Sequence, residues 1–231
     1  DHLLSIGVKW FKIGSGECNN YPLVEHVAGF GKPIIISTGM NDIKSIKPSV
    51  SIMESLDIPH ALMHCTSMYP TPYHKVKLGC IDQMSNEFPN SVIGLSDHSL
   101  GNYTCFAAIS LGARVLEKHF TSNKNWPGPD VSISLDPLEL KDLVDGSKAI
   151  FNSLGGEKKI LPEEKPTIDF AYACVVSIDE IKEGQIFTKN NIWVKRPGTG
   201  EIKAKYFKKI IGKKANINIP INTQIKWDFI D

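Results

Sequence analysis

Residues 92–98, Val-Ile-Gly-Leu-Ser-Asp-His, and residues 114–119, Arg-Val-Leu-Glu-Lys-His, are two apolar segments that each end in a histidine. A helix-length stretch, 102–112, lies between them, which is typical of two parallel strands joined by a crossover helix. Such strands would bring His98 and His119 to one edge of a sheet. In a (β/α) barrel, catalytic groups gather at this edge. Two neutral imidazoles there can hold a divalent metal, whereas a lone histidine is more often structural.

The same order of strand, polar loop and helix repeats through the first 156 residues. Nearly continuous apolar runs, spaced by roughly 23–30 residues, indicate βα units with strands covered on both faces. A last helix is predicted after the capping residue Asp136 and Pro137, and it ends at Gly155. The predicted strands are Val8–Ile13, Pro33–Ser37, Ala61–Cys65, Val92–Leu95 and Val115–Lys118.

Five strands of this kind cannot close an eight-stranded barrel, which usually needs about 250 residues. We therefore predict an α/β fold in which residues 1–156 form roughly strands four to eight of a TIM (β/α)8-type barrel. The first three βα units are expected to be absent from this sequence. A smaller doubly wound sheet is the alternative.

The remainder of the chain changes in character. Residues 157–170 are charged, contain two prolines and are interpreted as a linker. Residues 171–231 form a small β-rich domain with short strands among Gly and Pro turns. Its predicted strands are Ala173–Ile178, Ile192–Val194 and Ala215–Ile219.

Composition narrows the class of protein. With 42% hydrophobic and 22% charged residues, the 231-residue chain is an ordinary globular protein. No apolar run approaches the roughly 18–20 residues of a membrane span, and the first residues do not form a signal peptide. Five widely spaced cysteines without a Cys-x-x-Cys pair indicate reduced thiols and a cytoplasmic location.

Charge is unevenly divided along the chain. Residues 171–231 hold 11 Lys/Arg against 6 Asp/Glu, although the net charge of the whole chain is only +1. No zinc-finger spacing or aromatic RNA-binding motif accompanies this basic segment, so nucleic acid is not an expected partner. An anionic small molecule or an acidic neighbouring subunit fits the charge equally well.

Two glycine-containing loops suggest a phosphate cradle beside the histidines. Lys12-Ile-Gly-Ser-Gly-Glu17 offers an ammonium group, the Ser15 hydroxyl and backbone N–H groups that can approach an anion. Ser37-Thr-Gly-Met40 ends the second strand and opens a helix, whose N-terminus favours phosphate. Each loop alone is weak evidence for a phosphate site; for example, Ser-Thr-Gly before a helix is more often only a helix cap.

Other candidate site residues lie on the following loops and strands. Tyr69 sits in a proline-stiffened loop, where it lines a pocket or simply packs on the barrel. Glu117 shares a strand face with His119 and could orient a ligand or accept a proton. Asp130 is presented by the rigid loop Trp-Pro-Gly-Pro-Asp, and Arg196 by Arg-Pro-Gly-Thr-Gly in the small domain. A plain surface charge is the alternative for Arg196.

These motifs, together with His-Cys-Thr-Ser-x-Tyr-Pro-Thr-Pro and Gly-Leu-Ser-Asp-His, resemble in order and spacing the sialic acid synthase family. That family comprises N-acetylneuraminate synthase and its legionaminate and pseudaminate relatives. The resemblance implies a TIM barrel followed by a small SAF, or antifreeze-like, domain. It also implies a transferase that condenses phosphoenolpyruvate with an N-acylated mannose-type sugar, giving a nine-carbon 2-keto acid and phosphate. The acceptor would be N-acetylmannosamine or 2,4-diacetamido-2,4,6-trideoxymannose.

By the same resemblance, His98 and His119 would hold Mn²⁺ or Mg²⁺, and Glu17 would lie near the metal and its water. Tyr69 and Asp130 would face the sugar. Arg196 would reach the acyl group from the other subunit of a domain-swapped homodimer. Phosphoenolpyruvate would be held by Lys12, Ser15, Ser37, Ser96 and Ser67, the last standing where many relatives carry Asn.

Two rival functions stay open on sequence grounds. Other phosphoenolpyruvate-dependent synthases, such as those making the shikimate or lipopolysaccharide keto acids, share the chemistry, but the appended SAF-like domain argues against them. A non-catalytic carbohydrate- or surface-binding protein could use that domain alone. Its several lysines, including Lys203, Lys205 and Lys208, are poorly suited to a flat apolar binding face.

Overall fold

Five parallel strands form the sheet of the N-terminal unit, and each strand pairs with the next in chain order. The computed structural model describes residues 1–231, which divide into compact units at 1–155 and 156–231. The strands are β1 (Phe11–Ile13), β2 (Ile34–Ser37), β3 (His60–Cys65), β4 (Val92–Asp97) and β5 (Val115–Lys118). A doubly wound sheet would reverse its strand order at a switch point. The consecutive order is that of a barrel, so the prediction of a partial TIM-type barrel is confirmed.

Helices connect the strands and cover the outer face of this curled half-barrel. Asp42 and Asp136 form capping boxes with Ser45 and Glu139, which explains where the two longest helices begin. The helices of the first unit are α1 (His2–Ser5), α2 (Tyr21–Ala28), α3 (Ile43–Ser55), α4 (Tyr73–Val76), α5 (Gly79–Glu87), α6 (Tyr103–Ser110) and α7 (Pro137–Ser153).

Two strand boundaries differ from the sequence prediction by more than one residue, for reasons of pairing. β1 begins at Phe11 instead of Val8, because Phe11 pairs with Ile34 at the first position of β2. β4 continues past Leu95 to Asp97, because Ser96 and Asp97 pair with residues of β5. The polar side chains of Ser96 and Asp97 suggested that the strand ended at Leu95, whereas pairing with β5 extends it to Asp97.

The second unit contains a small antiparallel sheet of β6 (Cys174–Ser177) and β7 (Ile192–Lys195). The prediction of a strand at Ala215–Ile219 is wrong, because this segment makes only isolated bridges, from Ala215 to Ile230 and from Ile219 to Ile181. Between these bridges the Asn216 side chain bonds the Asp228 carbonyl, so the segment does not form a continuous ladder. A buried apolar cluster forms the core of the unit: Val175, Ile181, Phe187, Ile192, Ile202, Ile210, Ala215, Ile219 and Ile225.

Residues interpreted as a linker contain regular structure. A 3-10 turn at Pro162–Glu164 leads into α8 (Lys165–Ala171), and α9 (Phe207–Ile210) follows later in this unit. Pro166 stands in the first turn of α8, where its missing N–H costs no helical hydrogen bond. The two prolines therefore introduce helical turns in this segment.

None of the helices α1 to α9 combines the length and the apolar character that a membrane-spanning helix needs. All five cysteines are free thiols.

Gly94 in β4 provides a test of the packing inside the half-barrel. A Cβ at this position would lie 2.5 Å from both the Met63 sulfur and the Val115 carbonyl oxygen. We expect Gly94→Ala to lower the free energy of unfolding by about 1–3 kcal/mol through overpacking, measured by urea denaturation. Gly79→Ala is the matched control, because no atom lies within 4 Å of its added Cβ. Equal stability of the two variants would contradict this account of the packing.

Candidate functional site at the carboxyl ends of the strands

A polar network crosses the inner side of the sheet near the strand ends. The Lys12 ammonium donates a hydrogen bond to Ser37 Oγ over 2.8 Å and lies 3.3 Å from a Glu117 carboxylate oxygen. Ser96 Oγ donates to the other Glu117 oxygen over 2.7 Å. The four residues come from β1, β2, β4 and β5, so the curvature of the sheet and the side-chain conformations together bring them into contact.

This network is accessible to a ligand. The Lys12 and Glu117 side chains are 27% and 42% exposed. An ion pair in such surroundings adds little to stability, roughly 0–1 kcal/mol. Because packing does not require these charges, they are available to interact with an ionic ligand.

A second group of atoms surrounds Gly39, at the end of β2. The Gly39 N–H donates to Ser15 Oγ over 2.9 Å, and Asn41 Nδ2 donates to the carbonyl oxygens of both Ser15 and Gly39. A Cβ on Gly39 would collide with Ser67 Oγ and would lie 3.0 Å from Cys65 Sγ. The absence of a side chain at Gly39 therefore allows two serine hydroxyls, Ser15 and Ser67, to approach this residue closely.

The two histidines meet, as their position in consecutive βα units predicts. The ring centroids of His98 and His119 are 5.2 Å apart, and the Tyr69 ring lies 4.2 Å from His98 and 5.9 Å from His119. Asp130 extends from the following loop and places a carboxylate oxygen 3.4 Å from His119 Nδ1. Cys65 Sγ lies 3.8 Å from His98 Nδ1. The sugar-facing candidates Tyr69 and Asp130 thus border the imidazole pair.

The donor chemistry of this pair fits a divalent metal. Burial, and then the repulsion of the neighbouring His119, hold the pKa of His98 below its usual value, so its ring is neutral near pH 7. Neutral imidazole is the form that binds Mn²⁺ and similar ions. No group of three or more His, Cys, Asp or Glu side chains converges to hold a metal. The chain therefore offers two imidazoles, and water or substrate would supply the remaining ligands.

The predicted site residue Glu17 does not join these groups. The Glu17 side chain is exposed, and its carboxylate accepts a hydrogen bond from Asn20 over 2.6 Å, apart from the Lys12 network. Arg196 belongs to the second unit and is exposed there, directly after β7.

Sequence reasoning missed a buried ion pair on the opposite face of the same strands. Lys118 Nζ lies 3.0 Å from an Asp97 carboxylate oxygen, and the two side chains are 2% and 1% exposed. Burial by itself raises the pKa of Asp97, but hydrogen bonds from Thr104 and Ser99 and the Lys118 charge bring it below its usual value. A sequence signal existed, because charged residues at these positions interrupt strands that are otherwise apolar on their helix-covered face.

Together, the fold and the rim define a barrel-type protein with a lysine–serine network, a glycine-based cradle and an imidazole pair at the carboxyl ends of its strands. The model of the NeuB family matches residues 1–159, and the SAF domain model matches residues 172–231. The chain belongs to the NeuB family, which confirms the resemblance to the sialic acid synthases.

Individual relatives agree with this membership. An uncharacterized protein of Methanocaldococcus jannaschii is 42% identical over 99% of this chain and 68% of its own length. The N,N'-diacetyllegionaminic acid synthase of Legionella pneumophila is 37% identical over 100% of this chain and 66% of its own length. The crystal structure of an N-acetylneuraminic acid synthetase from Leptospira borgpetersenii aligns with a TM-score of 0.67 and 34% identity, covering 72% of this chain and 58% of that one. The chain thus spans about two thirds of the length of these curated relatives.

The lowered pKa of His98 gives a prediction on pH. We expect its ring to titrate with a midpoint below the usual value of about 6.5, so the neutral, metal-binding form persists into mildly acidic solution. An NMR titration of the imidazole ring signals, assigned through His98→Asn, measures this midpoint. A midpoint above 6.5 would contradict the assigned roles of burial and of His119.

Proposed function

We propose that the protein acts in a nonulosonic acid synthase, which condenses phosphoenolpyruvate with an N-acylated mannose-type sugar. The observation that carries the proposal is the convergence at one rim of an anion-binding group, Lys12 and Ser37, and an imidazole pair, His98 and His119. Phosphoenolpyruvate is a trianion that suits the first group, and a sugar aldehyde suits the second. Relatives named N,N'-diacetyllegionaminic acid synthase and N-acetylneuraminate-9-phosphate synthase support this reading.

In this proposal, Lys12 and the hydroxyls of Ser37 and Ser96 bind phosphoenolpyruvate, with Ser15, Ser67 and the Gly39 amide nearby for its phosphate. The close approach of the Ser15 and Ser67 hydroxyls to Gly39 supports this assignment. Charge-assisted hydrogen bonds of this kind are the strong ones, and they suit an anionic substrate. Tyr69 and Asp130, which border the histidines, orient the sugar.

The chemistry joins the methylene carbon, C3, of phosphoenolpyruvate to the aldehyde carbon of the sugar, whose oxygen takes up a proton. A divalent ion held by His98 and His119, Mn²⁺ or Mg²⁺, would supply Lewis-acid polarisation of that aldehyde when bound. Positive charge develops at C2, the carbon that bears the phosphate; water adds there and loses a proton, and the bond from C2 to the phosphate oxygen then breaks to leave the 2-keto group. Glu117 is placed beside Lys12 and Ser96 to accept a proton from this water, and Glu17 is the second candidate carboxylate. Lys12 compensates the negative charge of the phosphate as it leaves.

The cellular location and the biosynthetic role are part of the same proposal. Five free thiols support a reducing compartment, and hence the cytoplasm. A relative from Bacillus subtilis named spore coat polysaccharide biosynthesis protein SpsE, 36% identical over 100% of this chain, supports a role in surface glycan biosynthesis.

An assay of phosphate release tests the function directly. Incubation of the intact protein with phosphoenolpyruvate, Mn²⁺ and either N-acetylmannosamine or 2,4-diacetamido-2,4,6-trideoxymannose should release phosphate and form a 2-keto acid. The double variant His98→Ala, His119→Ala should lose both this activity and Mn²⁺ binding. Full activity and unchanged Mn²⁺ affinity in the double variant would remove the metal from the proposal. Binding of glycans without phosphate release would favour the non-catalytic alternative.

The lysine has its own test. Lys12→Ala should raise KM for phosphoenolpyruvate or lower kcat by about 10–150-fold, the equivalent of a charge-assisted contact of about 1.5–3 kcal/mol. Sugar affinity, measured separately, should change little. Lys9→Ala is the matched control, because that side chain is exposed and precedes β1. A selective loss of sugar binding in Lys12→Ala would contradict the assignment.

Arg196 is proposed to serve the site of a partner subunit in a domain-swapped homodimer, where its guanidinium would bond the acyl oxygen of the sugar. Its exposure supports an intermolecular role, and the uneven charge of the chain fits the same reading. Mixing Arg196→Ala protein with His119→Ala protein should form hybrid dimers with one intact site, and activity should exceed that of either parent. Subunit exchange without recovered activity would show that Arg196 does not act in trans.

A further inference from the structure

The buried pair of Asp97 and Lys118 lies directly behind the imidazole pair. In β4, Asp97 stands between Ser96 and His98, and in β5, Lys118 stands between Glu117 and His119. Successive side chains of a strand point to opposite faces. The ion pair is therefore the covalent neighbour of four site residues, although its charged atoms bond to none of them.

The Asp97 carboxylate is saturated with hydrogen bonds. Besides Lys118, it accepts bonds from Ser99 N–H at 3.0 Å, Ser99 Oγ at 2.9 Å and Thr104 Oγ1 at 2.6 Å. Lys118 also donates to the Ser99 carbonyl oxygen over 2.6 Å. One network thus fixes the end of β4, the end of β5, the loop after His98 and the start of α6.

Stability does not account for a charged pair at this place. Ile93 and Leu95 precede Asp97 on the same face of β4 and are buried apolar residues, as the helix-covered side of a strand requires. Replacing a buried ion pair by apolar residues is often neutral or stabilising. What an ion pair adds is a fixed direction and length, because its hydrogen bonds tolerate little displacement, whereas apolar side chains slide past one another.

We infer that Asp97 and Lys118 are positioning residues that set the spacing of His98 and His119. The register pairs Asp97 with Lys118 directly, one residue before both histidines. Backbone hydrogen bonds from neighbouring loops also hold the two histidines. The His98 carbonyl accepts from Thr71 N–H, and the His119 carbonyl accepts from Leu135 N–H. This role rests on the proposed metal function, because a metal demands ligands held within about 0.5 Å of their places.

The double variant Asp97→Asn, Lys118→Met tests the inference without leaving an unpaired buried charge. It is compared with wild type in the 231-residue chain by two readouts: Mn²⁺ affinity, from the free-ion EPR signal, and the His98–His119 ring separation in metal-free crystals. We expect Tm to stay close to wild type, Mn²⁺ affinity to fall by about 10–100-fold, and the ring separation to change by more than about 0.5 Å. Thr104→Val, which removes one bond to Asp97, should lower the affinity by less.

Ile93→Ala is the matched control for loss of stability. It removes buried apolar volume from the same face of β4, so Tm should fall while Mn²⁺ affinity and ring separation stay as in wild type. A double variant that keeps both the affinity and the ring separation, or one that does not fold, would overturn the positioning role. If wild type itself binds no Mn²⁺, the proposed metal function fails, and the ring separation still decides whether the pair sets the geometry.

Discussion

The register between β4 and β5 is the constraint on which the rest of the site depends. It pairs Ser96 with Glu117 on one face and Asp97 with Lys118 on the other, and it delivers two histidines together one step later. A slip by one residue would exchange the faces, placing the buried charges inside the half-barrel and the ligand-binding groups against α6. Such a slip would break the hydrogen bonds that Asp97 accepts on the α6 side. The sheet therefore has one stable register.

The fold was predictable wherever local pattern and global role agree. Apolar runs in regular βα units indicated the strands of the half-barrel, and Asp136 with Pro137 indicated the start of α7. The strand predictions are wrong where the partners that neighbouring strands offer, and not the polarity of the residues themselves, decide whether a strand forms. Ser96 and Asp97 are polar yet belong to β4, because β5 provides partners for them. Ala215–Ile219 alternates apolar and polar residues as a strand would, yet its neighbours in the second unit offer only single bridges.

Most members of the candidate site were predictable from the sequence, whereas the contacts between them were not. Position at strand ends sufficed to group His98 with His119, because topology alone fixes that proximity. It could not show that Lys12 bonds Ser37 and Glu117, since those contacts depend on side-chain conformations and on the curvature of the sheet. The role of Asp97 was hidden for a related reason. Its partners, Ser99, Thr104 and Lys118, are ordinary residues that acquire meaning only when a helix packs over the strand ends.

The bond between Lys12 and Glu117 has a consequence for how the site responds to its ligand. In this state Glu117 forms an ion pair with Lys12, the cation that would bind an anionic substrate. The substrate must therefore compete with the Glu117 carboxylate for Lys12. An anion that wins this competition frees Glu117, whose remaining partner is Ser96. The released carboxylate can then accept a hydrogen bond from another donor in the site. Binding of an anion at Lys12 and release of this carboxylate from its ion pair are thereby coupled.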